Sequence, residues 1–194
     1  MGKSRFPLKP SYNSPVILTF ALAACVIMAA DNLSGGRLTP RFFATYPGFD
    51  FASPAFYFRL VSHALGHKNW AHLTANFSVI LLVGPMVEEK YGSGPLIKMM
   101  LITALVTGIL NAAFLSTGLL GASGLAFMLI LLSSFANHRE GEIPLTFVLV
   151  VILFLAKEAV QAFAQDDISQ FAHIIGGISG SLFGYLKGSR RAGK

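Results

Sequence analysis

Residues 63–87 read HALGHKNWAHLTANFSVILLVGPMV: three histidines and two asparagines crowd the start of a run that is otherwise largely apolar. From residue 69 onward the run approaches the length, about 20 residues, that a helix needs to cross a hydrocarbon core about 30 Å thick. Polar side chains inside such a helix are expensive and by default mark a functional site. His72 and Asn76 are four residues apart, so a helix stacks them on one face, where both can aim donors at a common point. One segment thus announces a membrane span and a chemical site near one of its ends.

Working outward, the rest of the chain follows the same pattern. Its 194 residues are 54% hydrophobic and 12% charged, with a mean hydropathy of +0.62, whereas soluble domains carry about 25% charged residues. Apolar runs between breakers predict spans near 15–30, 69–87, 96–115, 121–136, 144–163 and 169–187, the fifth interrupted by Lys157-Glu158. The expected fold is an all-α membrane protein, a six-transmembrane-helix bundle over residues 15–187. A basic N-terminus, 1–14, and a basic tail, 188–194, flank it, and no length remains for a separate soluble domain. The connection 31–62 holds Pro40, Pro47, Pro54 and many aromatics, which favours a structured segment lying in the membrane interface.

The net charge of +6 is concentrated at the two ends, in Lys3, Arg5 and Lys9 and in Lys187, Arg190, Arg191 and Lys194. Such clusters beside apolar helices read as topology determinants, not as a nucleic-acid surface, and they place both termini in the cytoplasm, as an even number of spans requires. Cys25 is the only cysteine, so no intrachain disulfide can form. Leu22-Ala23-Ala24-Cys25 has the form of a lipoprotein cleavage box, but the apolar run continues through Val26, Ile27 and Met28, which favours an uncleaved helix. A compact chain without a transit peptide points to a bacterial plasma (inner) membrane.

With six spans, the second, fourth and sixth all begin at the outer face. His63, His67, His72, Asn76, Ser123 and His173 are then expected in one half of the bilayer. Ser123 lies in Gly121-Ala122-Ser123-Gly124 at a predicted helix start, where free N–H groups and the positive end of the dipole favour developing negative charge. His173 precedes Gly176, Gly180 and Gly184, a small-residue stripe suited to close helix packing. A serine is weakly nucleophilic until a base takes its proton, and a tetrahedral intermediate needs donors aimed at its oxyanion. Ser123, His173 and the His72/Asn76 pair fill these roles once each. Asp166 and Asp167 fall in the loop before the sixth span, so the expectation is a dyad, not a triad.

Each signal has a blander reading. A lone serine in a membrane helix is usually a packing residue. His63 and His67 read as hydrogen-bonding residues that pin the loop to the second helix. His63, His67 and His72 could be imagined around zinc, but the chain lacks His-Glu-x-x-His, and no metal site is expected. Glu88 is expected to anchor the turn to Gly92, and Lys157 and Glu158 to pair or snorkel.

These residues together resemble the rhomboid family of intramembrane serine proteases, from about Arg59 to Gly184. His63-Ala-Leu-Gly-His67-Lys-Asn-Trp-Ala-His72-Leu-Thr-Ala-Asn76 is similar to the family's histidine-rich motif. Gly121-Ala-Ser123-Gly124 resembles its Gly-x-Ser-Gly, and Ala172-His173-Ile-Ile-Gly176, with Gly180 beyond, its Ala-His-x-x-Gly. The resemblance implies a cavity open to the outside, Ser123 as nucleophile, His173 as general base and then acid, and an oxyanion hole of His72, Asn76 and the Ser123 N–H. It implies no cofactor. Phe58-Arg59 stands where the family has Trp-Arg, and Phe127 where a tyrosine often stacks on the histidine; both departures should tune the site without touching the dyad.

The expected activity is hydrolysis of a peptide bond in or beside a transmembrane segment of a membrane-protein substrate. Its partners would be such substrates and membrane lipids; the sequence leaves the oligomeric state open. Two alternatives are a non-catalytic rhomboid-like pseudoprotease that binds membrane proteins and, ranked last, a transporter, for which the midplane charges are missing. Residues Phe163 to Ile168, between the last two spans, are the candidate lid on position alone.

Overall fold

The structure, a computed structural model, describes residues 10–135, 143–162 and 167–188, with backbone alone for 154–162, 167–173, 185, 187 and 188. Eight helices appear: α1 (Pro15–Leu33), α2 (Leu38–Phe42), α3 (Pro54–Ser62), α4 (Trp70–Tyr91), α5 (Ser93–Phe114), α6 (Ser123–Ser134), α7 (Leu145–Ala162) and α8 (Asp167–Gly188). Among the described residues three of them, α1, α4 and α5, are long and apolar enough by themselves to cross a membrane. The chain is an all-helical integral membrane protein. Leu82 is 76% exposed, Val26 67% and Met86 62%. Such side chains on spanning helices face acyl chains at no cost, because lipid is as apolar as they are.

What holds the helices together is therefore contact and polar anchoring more than removal of apolar surface from water. Ile17, Phe77, Ile80, Leu96, Met128, Leu129 and Leu132 form one buried cluster shared by α1, α4, α5 and α6. Pro15 opens α1 at a position where a missing N–H is harmless, and Ser14 supplies no side-chain cap. The cap comes instead from Glu88 at the end of α4. Its carboxylate accepts the Val16 and Ile17 N–H groups, both at 3.1 Å, and the Ser93 hydroxyl at 2.7 Å. The Glu88 backbone carbonyl does receive the Gly92 N–H at 2.8 Å, as the sequence suggests. The side chain, however, ties α1 to the α4–α5 turn, a role that local sequence did not disclose.

The connection expected to be structured contains two helices. Pro54 is not only a breaker; it sits at the start of α3. Asp31 at the end of α1 accepts the Thr39 N–H of α2 at 2.8 Å. Thr45 and Leu119 exchange backbone hydrogen bonds of 3.0 and 2.9 Å, which ties this connection to the segment just before Gly121. Phe58 packs edge-on against Phe43, and the Arg59 guanidinium lies 5.5 Å from the Tyr46 ring centre.

The most extensive helix pair is α6 with α8. A Cβ on Gly176 would run into the backbone of Gly124, one on Gly180 would lie 2.5 Å from the Met128 carbonyl oxygen, and one on Gly184 would strike the Phe135 ring. Glycine is what lets these backbones touch. Since 124 pairs with 176 and 128 with 180, the two helices run parallel in register. The α7 backbone continues through Lys157 and Glu158 without a break. Their side chains, like most of the proposed lid at 163–168, the turn at 137–142, the first nine residues and most of the tail, lie outside the described residues.

Candidate active site

The α4 start is fixed by Asn69, whose side-chain oxygen caps the helix by accepting the His72 N–H at 2.8 Å. His72 thereby occupies the first turn and Asn76 the second. Both side chains converge on Gly121. A Cβ there would lie 2.7 Å from His72 Cε1, 2.9 Å from its Nε2 and 3.6 Å from Asn76 Nδ2. Gly121 also has φ +118°, a conformation that L side chains rarely adopt. Glycine is thus required twice over, and its missing side chain leaves a niche walled by the imidazole and the amide. The Lys68 N–H lies 3.5 Å from His72 Nδ1, which favours the tautomer carrying its proton on Nε2, the nitrogen nearer the niche. Asn76 is buried, and its Nδ2 has no hydrogen-bond partner among the described residues.

Ser123 is the first residue of α6 and is partly buried. No side chain caps this helix start, and the first intrahelical bond is Ala126 N–H to Ala122 carbonyl at 2.8 Å. The earlier N–H groups of the turn, Ser123's among them, are left available. His173 is placed by its backbone, three residues before Gly176 on α8. Because Gly176 rests on Gly124, His173 is carried one turn N-terminal of the point where α8 touches the residue after Ser123. The His173 side chain lies outside the described residues. Phe127 is buried, and its ring faces Gly177 of α8, where an added Cβ would lie 2.6 Å from Cε1.

The remaining two histidines act differently from the expected pinning of loop to second helix. His63 Nε2 lies 3.0 Å from the Ala104 carbonyl of α5, and the His63 carbonyl accepts the Gly121 N–H at 2.9 Å. His67 Nε2 accepts the Ala122 N–H at 3.3 Å, while its Nδ1 lies 3.2 Å from the Leu65 carbonyl. His67 uses both ring nitrogens on backbone groups, whereas His63 uses Nε2 alone and its Nδ1 has no hydrogen-bond partner among the described residues; among the described residues no cluster of metal-ligating side chains occurs. Burial, aided by the nearby His72 charge and opposed by the Leu65 carbonyl, pulls the His67 pKa down to about 4. Burial likewise lowers that of His63, against its Ala104 bond. Both are neutral near pH 7.

A cavity of about 900 Å³ lies elsewhere, between α1, α3 and α5. Its lining, including Phe20, Tyr57, Phe58, Ile97 and Leu101, is mainly apolar, with Thr19, Ser62 and Ser93 contributing hydroxyl groups.

A family model described as the Rhomboid domain matches residues 54–190, more than half of the chain. Rhomboid protease GlpG of Haemophilus influenzae is 22% identical over 172 residues, covering 87% of this chain and 89% of that one.

Proposed function

Because this chain belongs to the rhomboid family, we propose that it is an intramembrane serine endopeptidase that cleaves a peptide bond in or near a transmembrane segment of other membrane proteins. The observation that carries the reading is the convergence of His72 and Asn76 on Gly121, two residues before Ser123, with an Asn76 amide that has no partner among the described residues. A buried donor without an acceptor costs free energy unless something repays it. An oxyanion formed at the niche would supply that acceptor.

In this mechanism the Ser123 hydroxyl attacks the scissile carbonyl as His173 takes its proton. The oxyanion is held by His72, Asn76 and the Ser123 N–H. Collapse breaks the C–N bond, and His173 returns the proton to the leaving amine. Water, deprotonated by His173, then hydrolyses the Ser123 ester. Depth follows from helix length. The 12 residues of α6 span about 18 Å, well short of a core about 30 Å thick; with the C-terminal end of α6 at the inner surface, Ser123 lies below the outer one. We take α1, α4, α5, α6, α7 and α8 as six spans, both termini as cytoplasmic, the site as open to the outside, and the membrane as a bacterial plasma membrane.

The test is labelling of purified, detergent-solubilised protein with a fluorophosphonate probe. Wild type should label, and Ser123→Ala and His173→Ala should not. An unlabelled but folded wild type, beside a reactive rhomboid control, would favour a pseudoprotease that binds membrane proteins without cutting them.

A further inference from the structure

The segment that delivers Ser123 is held from several sides. Thr45 pairs with Leu119, the His63 carbonyl accepts the Gly121 N–H, and His67 Nε2 accepts the Ala122 N–H. Only the last of these bonds depends on a side chain. A peptide unit is planar, so fixing the Ala122 N–H fixes the whole unit that joins Gly121, the floor of the niche, to the residue before Ser123. An imidazole can serve as this acceptor only while Nε2 is unprotonated. The Leu65 carbonyl, beside Nδ1, favours the proton on that side, and the ring is held in place by a T-shaped contact with His72 at 5.1 Å and a tilted one with Phe77 at 5.7 Å. His67 is 2% exposed.

We propose that His67 is a positioning residue for the reaction: by accepting the Ala122 N–H it sets the Gly121–Ala122 peptide and thereby the place of the Ser123 N–H and hydroxyl relative to His72 and Asn76. This inference rests on the protease reading above. It assigns His67 no contact with substrate and no part in proton transfer. The downward-shifted pKa means that the acceptor persists across the physiological range.

Saturation kinetics of fluorophosphonate labelling separate the parts. Labelling forms an Oγ–phosphorus bond, expels fluoride and passes the serine proton to His173, so its maximal rate senses alignment while its half-saturating concentration senses binding. His67→Gln can put an amide oxygen near the Nε2 position, whereas the shorter His67→Asn cannot. The expected result is a maximal rate about 100-fold lower for His67→Ala and His67→Asn, with half-saturation within about twofold of wild type. His67→Gln should recover to within about fivefold, although all three variants lose the same ring packing and melt at similarly reduced temperatures. If His67→Ala does not purify folded, the Asn and Gln pair carries the test. Equal rates for Asn and Gln, or wild-type rates for Ala, would overturn the positioning role while leaving the protease reading intact. A wild type that never labels would overturn both.

Discussion

Replacing Gly176 by alanine tests how the α6–α8 contact sets the site. The new Cβ would lie 2.8 Å from the Gly124 carbonyl carbon and 3.0 Å from its Cα, where carbon atoms ordinarily rest about 3.5–4.0 Å apart. The obstacle is backbone and cannot rotate aside, so the helices must part by about 1 Å at this level, next to Ser123. Overpacking of this kind costs about 1–3 kcal/mol, and a misplacement of about 1 Å between reacting groups costs about 100-fold in rate. Gly184→Ala is the matched control. Its Cβ would meet the Phe135 ring at 2.5 Å, but eight residues further along the helix, about 12 Å away. Thermal unfolding in detergent should fall for both variants, whereas the fluorophosphonate labelling rate should collapse only for Gly176→Ala. If Gly176→Ala labels at the wild-type rate, or if Gly184→Ala slows as much, the contact at Gly124 does not position the dyad.

Further outcomes follow from other contacts. Asn76→Ala should slow labelling about 100- to 1000-fold with only a small change in unfolding midpoint, because Nδ2 has no partner to lose among the described residues; a wild-type rate would remove it from the oxyanion hole. Glu88→Ala leaves the Val16 and Ile17 N–H groups without their acceptor and should destabilise the protein by about 3 kcal/mol, with Glu88→Gln intermediate in the same melt. Stability should also fall on acidification. His67 titrates near 4 when folded and near 6.5 when unfolded, so the unfolded chain takes up the proton first and stability drops as pH falls from about 6.5 toward 4. The loss is about 3 kcal/mol at most, read from unfolding midpoints across that window, and His67→Gln should flatten the slope.

The long spans could be read from the chain because lipid imposes an unambiguous length and polarity on them; α1, α4 and α5 lie close to the predicted runs. The start of α4 was placed at about residue 69 by the apolar run alone, and the structure adds the Asn69 cap that fixes it. The α3 start carried a local signal in Ser53-Pro54, but the surrounding prolines and aromatics read more strongly as breaks. At the site, the four-residue spacing of His72 and Asn76 suffices to put them on one face, and the structure brings both to Gly121. The partners of His63 and His67 were not readable. Their spacing marked them as a pair, yet the groups they hold, Ala104, Gly121 and Ala122, come from distant parts of the chain. Glu88 is a like case, because a carboxylate at a helix end suits its own turn equally well until the neighbouring helix is known.

The cap that Glu88 gives to α1 also constrains how the protein is made. The first helix emerges from the ribosome with its leading N–H groups bare, and the carboxylate that will receive Val16 lies 72 residues downstream. At translation rates of about 5–20 residues per second, that gap lasts about 4–14 seconds. During this interval headgroups and interfacial water must serve those amides, and α1 has no fixed seat. Although made before α4, α1 is therefore locked only after it, and the α4–α5 turn is the template on which the N-terminal end of α1 is finally set.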